Sequence, residues 1–158
     1  MLTICTGNIY RSPYAAVLLQ ALLEERGLGE RIEVSSAGFV GPDRPSPDDA
    51  QARAASRGLD LSTHRSRVLT QELVDEADLL VVMDPEHERL LRQRFTLRPE
   101  QKVVLLGDLD PQPIPTRAIL DPWRGQADEL VQSYDRIDRS VGKLVEALAG
   151  DRDDKVTR

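Results

Sequence analysis

The sequence predicts an α/β fold built on a parallel sheet, and three observations predict it. Short apolar runs alternate with stretches of helical periodicity along the chain. One run, Leu79-Leu80-Val81-Val82-Met83, is continuously apolar, as a central strand covered on both faces must be. The length of 158 residues, with 40% hydrophobic and 30% charged residues, suits one soluble globular domain.

The elements follow in order. Leu2 to Cys5 reads as a very short first strand. Ser12-Pro13 is predicted to open a helix, with Ser12 as N-cap and Pro13 at the first helical position. Ala15, Ala16, Leu18, Leu19, Leu22 and Leu23 continue it at helical spacing until Gly27 and Gly29. Ile32 to Ser35 is the candidate second strand, and the Gly- and Pro-rich stretch 38–47 is a loop. Helices are predicted over 48–57, ended by Gly58, and over 72–76. After the strand 79–83, Asp84-Pro85 caps and starts a helix reaching about Arg94, with His87 on its solvent face. Lys102 to Leu106 is a fourth strand, and 107–126, with four prolines, is a long loop of the kind that carries function. The final helix, 127–149, has Leu130, Val131, Tyr134, Ile137, Val141, Leu144, Val145 and Leu148 along one face. The domain is expected to span 1–149, with 150–158 a charged tail.

Composition excludes several classes. A formal net charge of −6 argues against a nucleic-acid partner. No apolar run approaches the roughly 20 residues of a membrane span. Met1-Leu2-Thr3-Ile4 shows no basic region before an apolar stretch, so no secretory signal is expected. A single cysteine forms no internal disulfide and points to a reducing compartment, here the cytoplasm. With two His and one Cys at no ligand spacing, no metal and no cofactor are expected.

The informative segment is Cys5-Thr6-Gly7-Asn8-Ile9-Tyr10-Arg11-Ser12-Pro13. It lies between a strand and a helix, and five residues separate a nucleophile from an arginine. Such a loop wraps with its backbone N–H groups inward and a helix N-terminus behind them, a concavity for a phosphate-sized dianion. Gly7 allows tight curvature, and Asn8 tolerates a left-handed conformation. Thr6, Ile9 and Tyr10 complete the loop, and Arg11 offers a planar fork to two phosphate oxygens. The same field of donors favours a Cys5 thiolate, and the Ser12 hydroxyl can donate to it. A lone cysteine at a strand end is ordinarily a small buried hydrophobe. The register of Gly7, Asn8, Ser12 and Pro13 between strand and helix is what favours chemistry here.

C-x-G-N-x-x-R-S-P at the extreme N-terminus resembles the low-molecular-weight protein tyrosine phosphatases. So do Val34-Ser35-Ser36-Ala37-Gly38, the G-x-D-x-S-x-H-x-x-R stretch at 58–67, Ala77 to Asp84, and Asp121-Pro122-Trp123. The resemblance implies a flavodoxin-like three-layer sandwich, a four-stranded parallel sheet with helices on both faces and the site at the carboxyl ends of its strands. It implies hydrolysis of phosphotyrosine monoesters through a phospho-cysteine on Cys5, with a tyrosine-phosphorylated protein, a tyrosine kinase among them, as partner. It selects Asp121 as the general acid, where the residues alone leave Asp108 and Asp110 as rivals and Asp121 as a simple N-cap. It further implies that Asn8, Ser36 and His64 support the loop and that Asp84 stands behind the site, where the residues leave two roles equally open, ion partner of Arg67 or plain N-cap before Pro85.

Three departures stand out. Tyr10 replaces the family's second cysteine, so oxidised Cys5 has no internal disulfide to rescue it. Arg124 and Gly125 follow Trp123 in place of a second aromatic, and Arg124 would favour an acidic substrate or stand idle. The first strand has only four residues before Cys5, implying an upstream start or a weakened sheet edge. Ile9, Tyr10, Phe39, Val40 and Trp123 are the candidate walls of an aryl pocket. Related phosphoarginine phosphatases carry Thr where Ile9 stands, so an aryl substrate is favoured. The alternatives are a phosphoarginine phosphatase, an arsenate reductase that would need an external thiol, and a non-catalytic phosphate-binding module.

Overall fold

The computed structural model describes residues 1–150. Four strands, β1 (Leu2–Cys5), β2 (Ser35–Gly38), β3 (Leu79–Val82) and β4 (Lys102–Leu105), form one parallel sheet in the order β2-β1-β3-β4. Leu2 pairs with Ser35 on one side and with Leu80 on the other. β1 is therefore central, and its shortness leaves no weakened edge. Alternation along it decides where the chemistry faces. Leu2 and Ile4 point into one core, with Leu80, Val82 and Leu91. Cys5 belongs to the other, with Tyr14, Leu19, Val81 and Tyr134.

α1 (Arg11–Glu25), α2 (Asp48–Ala55) and α5 (Ala127–Gly150) pack on the Cys5 side. α3 (Gln71–Asp75) and α4 (Pro85–Arg94) pack on the other. The result is the three-layer arrangement that the sequence predicts. In this strand order the crossovers diverge between β1 and β3, so a crevice opens at the carboxyl ends of those two strands.

Several boundaries differ from the sequence reading, each for a physical reason. α1 begins at Arg11 rather than after Ser12, and its N-cap Tyr10 makes no side-chain capping bond. Pro13 still sits in the first turn, where a missing N–H costs nothing. The Ser12 hydroxyl is committed elsewhere, to Cys5 and Asn8. α1 stops at Glu25, and Gly27, just past its C-cap Arg26, takes φ +68. Gly27 N–H donates to Glu24 and Leu28 N–H to Leu23, closing the last turn over two buried leucines. β2 lies three residues later than Ile32 to Ser35. Ile32 and Val34 pack on the core, but the ladder with β1 begins only at Ser35. Ser-Ser-Ala-Gly has little strand propensity, and register with β1 overrides it. Val131 is exposed, unlike the rest of its predicted helix face. Gly150 belongs to α5, and the remainder of the predicted tail, 151–158, lies outside the described residues. Among the described residues no helix is long and apolar enough to cross a membrane.

α1 and α5 form the largest helix contact that bears on the site. Tyr14 and Tyr134 stack with ring centroids 3.8 Å apart. The Tyr134 hydroxyl donates to the Tyr10 carbonyl at 3.0 Å, fixing the exit of the Cys5–Arg11 loop. The Tyr14 hydroxyl donates to Asp138.

Candidate active site

The loop from Cys5 to Arg11 leaves β1 and enters α1, and its curvature comes from Asn8, which takes φ 52. The Asn8 side chain holds that conformation from three directions. Its Nδ2 donates to Ser12 Oγ at 2.8 Å and to Ser36 Oγ at 2.9 Å, and its Oδ1 accepts from the Arg67 main chain at 3.0 Å. His64 Nε2–H donates to the Asn8 carbonyl at 2.6 Å. Burial is the main cause that lowers the pKa of His64, so the ring acts as a neutral donor. Asn8, Ser36 and His64 are thus brought together as expected. The end of β2 comes against the same loop, where Phe39 and Val40 N–H both donate to the Thr6 carbonyl. Only glycine fits at Gly38, because a Cβ there would lie 2.8 Å from Asn8 N and from Thr6 O.

Within this frame the Cys5 thiol sits 3.0 Å from Ser12 Oγ and accepts Asn8 N–H at 3.3 Å. Among the described residues the main-chain N–H groups of Gly7, Ile9, Tyr10, Arg11 and Ser12 donate to no protein acceptor. Five free N–H donors at one helix N-terminus form a cradle for an anion. Arg11 is only 3% exposed. One Nη donates to the Ile119 carbonyl at 3.0 Å and the other to Asp121 Oδ2 at 2.7 Å. Among the described residues its buried Nε has no partner.

Asp121 reaches this point because α5 fixes the long loop before it. Arg136 donates to the carbonyls of Ala118 (2.7 Å), Thr116 (2.7 Å) and Gly107 (3.1 Å). Ile119 N–H bonds the Met83 carbonyl at the end of β3. The rival carboxylates are used in the same scaffold. Asp108 is held by Arg117 and Asp110 by Arg139, and those hydrogen bonds, first among the causes, keep both acids below the usual carboxylate range. Neither lines the Cys5 cavity. Asp121 is no helix N-cap either: α5 starts at Ala127, and Asp121 Oδ1 instead accepts Trp123 N–H at 3.1 Å.

A cavity of about 180 Å³ opens above the thiol, lined by Cys5, Ile9, Tyr10, Val40, Asp121 and Trp123 among others. Four of the five predicted pocket walls therefore converge. Phe39 does not. It is buried in the core beside α3 and α4, and it lines an adjoining, larger cavity of about 870 Å³ that shares Thr6, Arg11, Val40 and Asp121 with the first. The Tyr10 ring takes the second-cysteine position and packs into the core. Its hydroxyl donates to Asp49 at 3.1 Å, and burial, then Asp49, pushes its pKa up to about 12. Arg124 adopts φ 58 and lies 5.3 Å over the Trp123 ring.

The structure selects one of the two roles left open for Asp84 and corrects the reading of His87. Asp84 makes no ion pair with Arg67: its Oδ1 caps α4 through Glu86 N–H, while Arg67 Nε donates to the Ser36 carbonyl. His87 does not face solvent. It is 4% exposed, with Nε2 3.0 Å from Thr6 Oγ1 and its ring centroid 5.7 Å from that of Phe39. Its i, i+4 spacing to buried Leu91 was the available signal. Burial first, then the Arg11 charge, lowers the His87 pKa from 6.5 to about 4. The unfolded chain therefore binds a proton below pH 6.5 that the folded chain refuses until about pH 4. Stability tied to neutral His87 is fully present above pH 6.5 and declines as pH falls through that window, by up to ~3 kcal/mol. Urea unfolding of wild type and His87→Gln across this range checks it, since the variant should lose much of the slope. Parallel curves would show that His87 does not contribute.

A thiol at the end of a central strand, ringed by free N–H groups and faced by a buried arginine and a carboxyl from a distant loop, is the apparatus of a cysteine-dependent phosphatase. Comparison with known proteins agrees. The model of the family "Low molecular weight phosphotyrosine protein phosphatase" matches residues 1–154, and the chain belongs to that family. A protein-arginine-phosphatase of Bacillus subtilis is 31% identical over 94% of this chain and 96% of its own. A low molecular weight protein-tyrosine-phosphatase of Streptomyces coelicolor is 33% identical over 92% of this chain and 90% of its own. Among solved structures, Vibrio vulnificus Wzb in complex with benzylphosphonate superposes with a TM-score of 0.77, at 30% identity over 92% of this chain and 96% of that one.

Proposed function

We propose that this protein hydrolyses phosphotyrosine in protein substrates, a tyrosine kinase being one such candidate, through a phospho-cysteine on Cys5. The observation that carries the reading is the meeting of Cys5, the free loop N–H groups, Arg11 and Asp121 at one cavity. A phosphate dianion enters the cradle and takes the N–H donors and the Arg11 fork, displacing Asp121 from its 2.7 Å ion pair. The freed carboxyl then faces a dianion and holds a proton. The Cys5 thiolate attacks phosphorus, the S–P bond forms, the P–O bond to the aryl group breaks, and Asp121 delivers its proton to the leaving phenolate. In the second step Asp121 takes a proton from water as that water attacks phosphorus. The S–P bond breaks, inorganic phosphate leaves, and the thiolate, with Ser12 Oγ at 3.0 Å to receive it, is restored. The reaction keeps Cys5 reduced throughout, which suits a cytoplasmic setting.

Ile9 and Trp123 support an aryl substrate over phosphoarginine, since both present apolar surface to the cavity. The Wzb complex, with a benzyl group on its phosphonate, is in keeping with such a pocket. Expected kcat/KM is higher by about tenfold or more for a phosphotyrosine peptide than for its phosphoarginine counterpart, and Ile9→Thr narrows the ratio. A preference for phosphoarginine in the wild type would reverse the assignment of substrate while keeping the mechanism.

A further inference from the structure

Arg44 has no place in the catalytic steps above, yet the protein holds it rigidly at the cavity that contains Cys5. Its Nε donates to the Gly41 carbonyl at 3.1 Å and one Nη to the Gly7 carbonyl, in the phosphate-binding loop itself, at 2.9 Å. The segment that carries it is bent for the purpose: Gly41 takes φ 74 and Asp43 φ 54. Buried Ser66 locks the bend. Its hydroxyl donates to the Gly41 carbonyl and accepts Arg44 N–H, while its main chain pairs with Asp43 and Arg44. The guanidinium lies against two glycines, of which Gly41 also needs its left-handed backbone, and a side chain at either would push the guanidinium away. A Cβ at Gly7 would come 2.9 Å from Arg44 Nη2, and one at Gly41 2.2 Å from it.

The carbonyls satisfy two of the donors but not the charge. Among the described residues no carboxylate lies within ion-pair distance of Arg44, and its second Nη donates to no protein group. Arg124, on the segment that follows Asp121, likewise has no carboxylate partner among the described residues, and it stands over Trp123 of the same cavity. A chain of net charge −6 thus keeps one uncompensated arginine in the lining of its cysteine cavity and a second over the Trp123 ring that lines it. The phosphate already has the loop N–H groups and Arg11, so these cations are left for something beside it.

Given the phosphotyrosine reading above, on which this inference rests, we propose that Arg44, assisted by Arg124, binds the carboxylate of an acidic residue flanking the phosphorylated residue of the substrate. Arg44 is a specificity-determining residue in this account. Held in place in advance, its guanidinium loses little side-chain entropy on binding.

The test uses phosphotyrosine peptides that differ only in carrying Glu or Gln at the positions flanking the phosphorylated residue. Wild-type kcat/KM should favour the Glu peptide by about fivefold to tenfold at low salt, and the ratio should shrink as ionic strength rises. Arg44→Gln should bring the ratio close to one, and Arg44→Lys, which keeps the charge without the fork, should retain a good part of it. Binding of the same peptides to the Cys5→Ser protein should show the same ratios in Kd. That readout stands even if turnover fails, so it separates this inference from the catalytic reading. No Glu preference in the wild type, or an equal preference in Arg44→Gln, would overturn the proposal. An equal loss on both peptides would assign Arg44 to bracing Gly7 alone.

Discussion

Cys5→Ser removes turnover of p-nitrophenyl phosphate, by roughly 10⁴-fold or more, while leaving the fold and phosphate binding in place. The size follows from the role. A serine hydroxyl has no base beside it here, since the partner of the thiol is Ser12 Oγ at 3.0 Å. The hydroxyl keeps that contact and the Asn8 N–H bond, so the cradle of free N–H groups survives. The activity of the wild type should be unaffected by chelators. Steady-state rates at pH 5 to 8, with phosphate binding followed by calorimetry, check both halves. Turnover in the serine variant comparable to wild type would remove Cys5 from the mechanism. Loss of phosphate binding together with activity would mean that the substitution had collapsed the loop.

Asp121→Asn is the second large effect, and its signature is selectivity among leaving groups. General acid catalysis is worth about 10²–10⁴-fold when the leaving group needs a proton. Phenyl phosphate and phosphotyrosine should therefore lose roughly 10²-fold or more, and p-nitrophenyl phosphate far less. The competing interpretation is structural, because Asp121 Oδ2 also holds Arg11 at 2.7 Å. Arg11 keeps a second anchor at the Ile119 carbonyl, so its placement does not depend on Asp121 alone. An equal loss on good and poor leaving groups would assign Asp121 to Arg11 positioning and sink the general-acid role.

What the sequence discloses depends on how local the information is. Cys5, Asn8, Arg11 and Ser12 lie within eight consecutive residues between a strand and a helix, so their convergence is legible from order alone. Asp121 is not, because 110 residues separate it from Arg11. Composition ranks it equal with Asp108 and Asp110, and only the family resemblance selects it. The structure supplies the physical reason, since Arg117 and Arg139 occupy the other two. The bounds of β2 are not legible because Ser-Ser-Ala-Gly is a strand by register rather than by propensity. The burial of His87 is not legible because polar neighbours on α4 hide a side chain that reaches Thr6 across 81 residues. Arg44 gave no signal at all. Its meaning comes from a left-handed bend and a buried serine that bring it onto Gly7, 37 residues away in the chain.

The central claim is the covalent intermediate, and trapping it is the most direct test. Asp121→Asn slows release of the phosphoryl group from the enzyme as well as its formation. Mixing that variant with p-nitrophenyl phosphate, quenching within the first turnovers and mapping the peptides by mass spectrometry should therefore find one phosphoryl group on the peptide containing Cys5. The same treatment of Cys5→Ala in the Asp121→Asn background should find none. Product release without a phosphoryl group on Cys5, or with the group on another residue, would contradict the account.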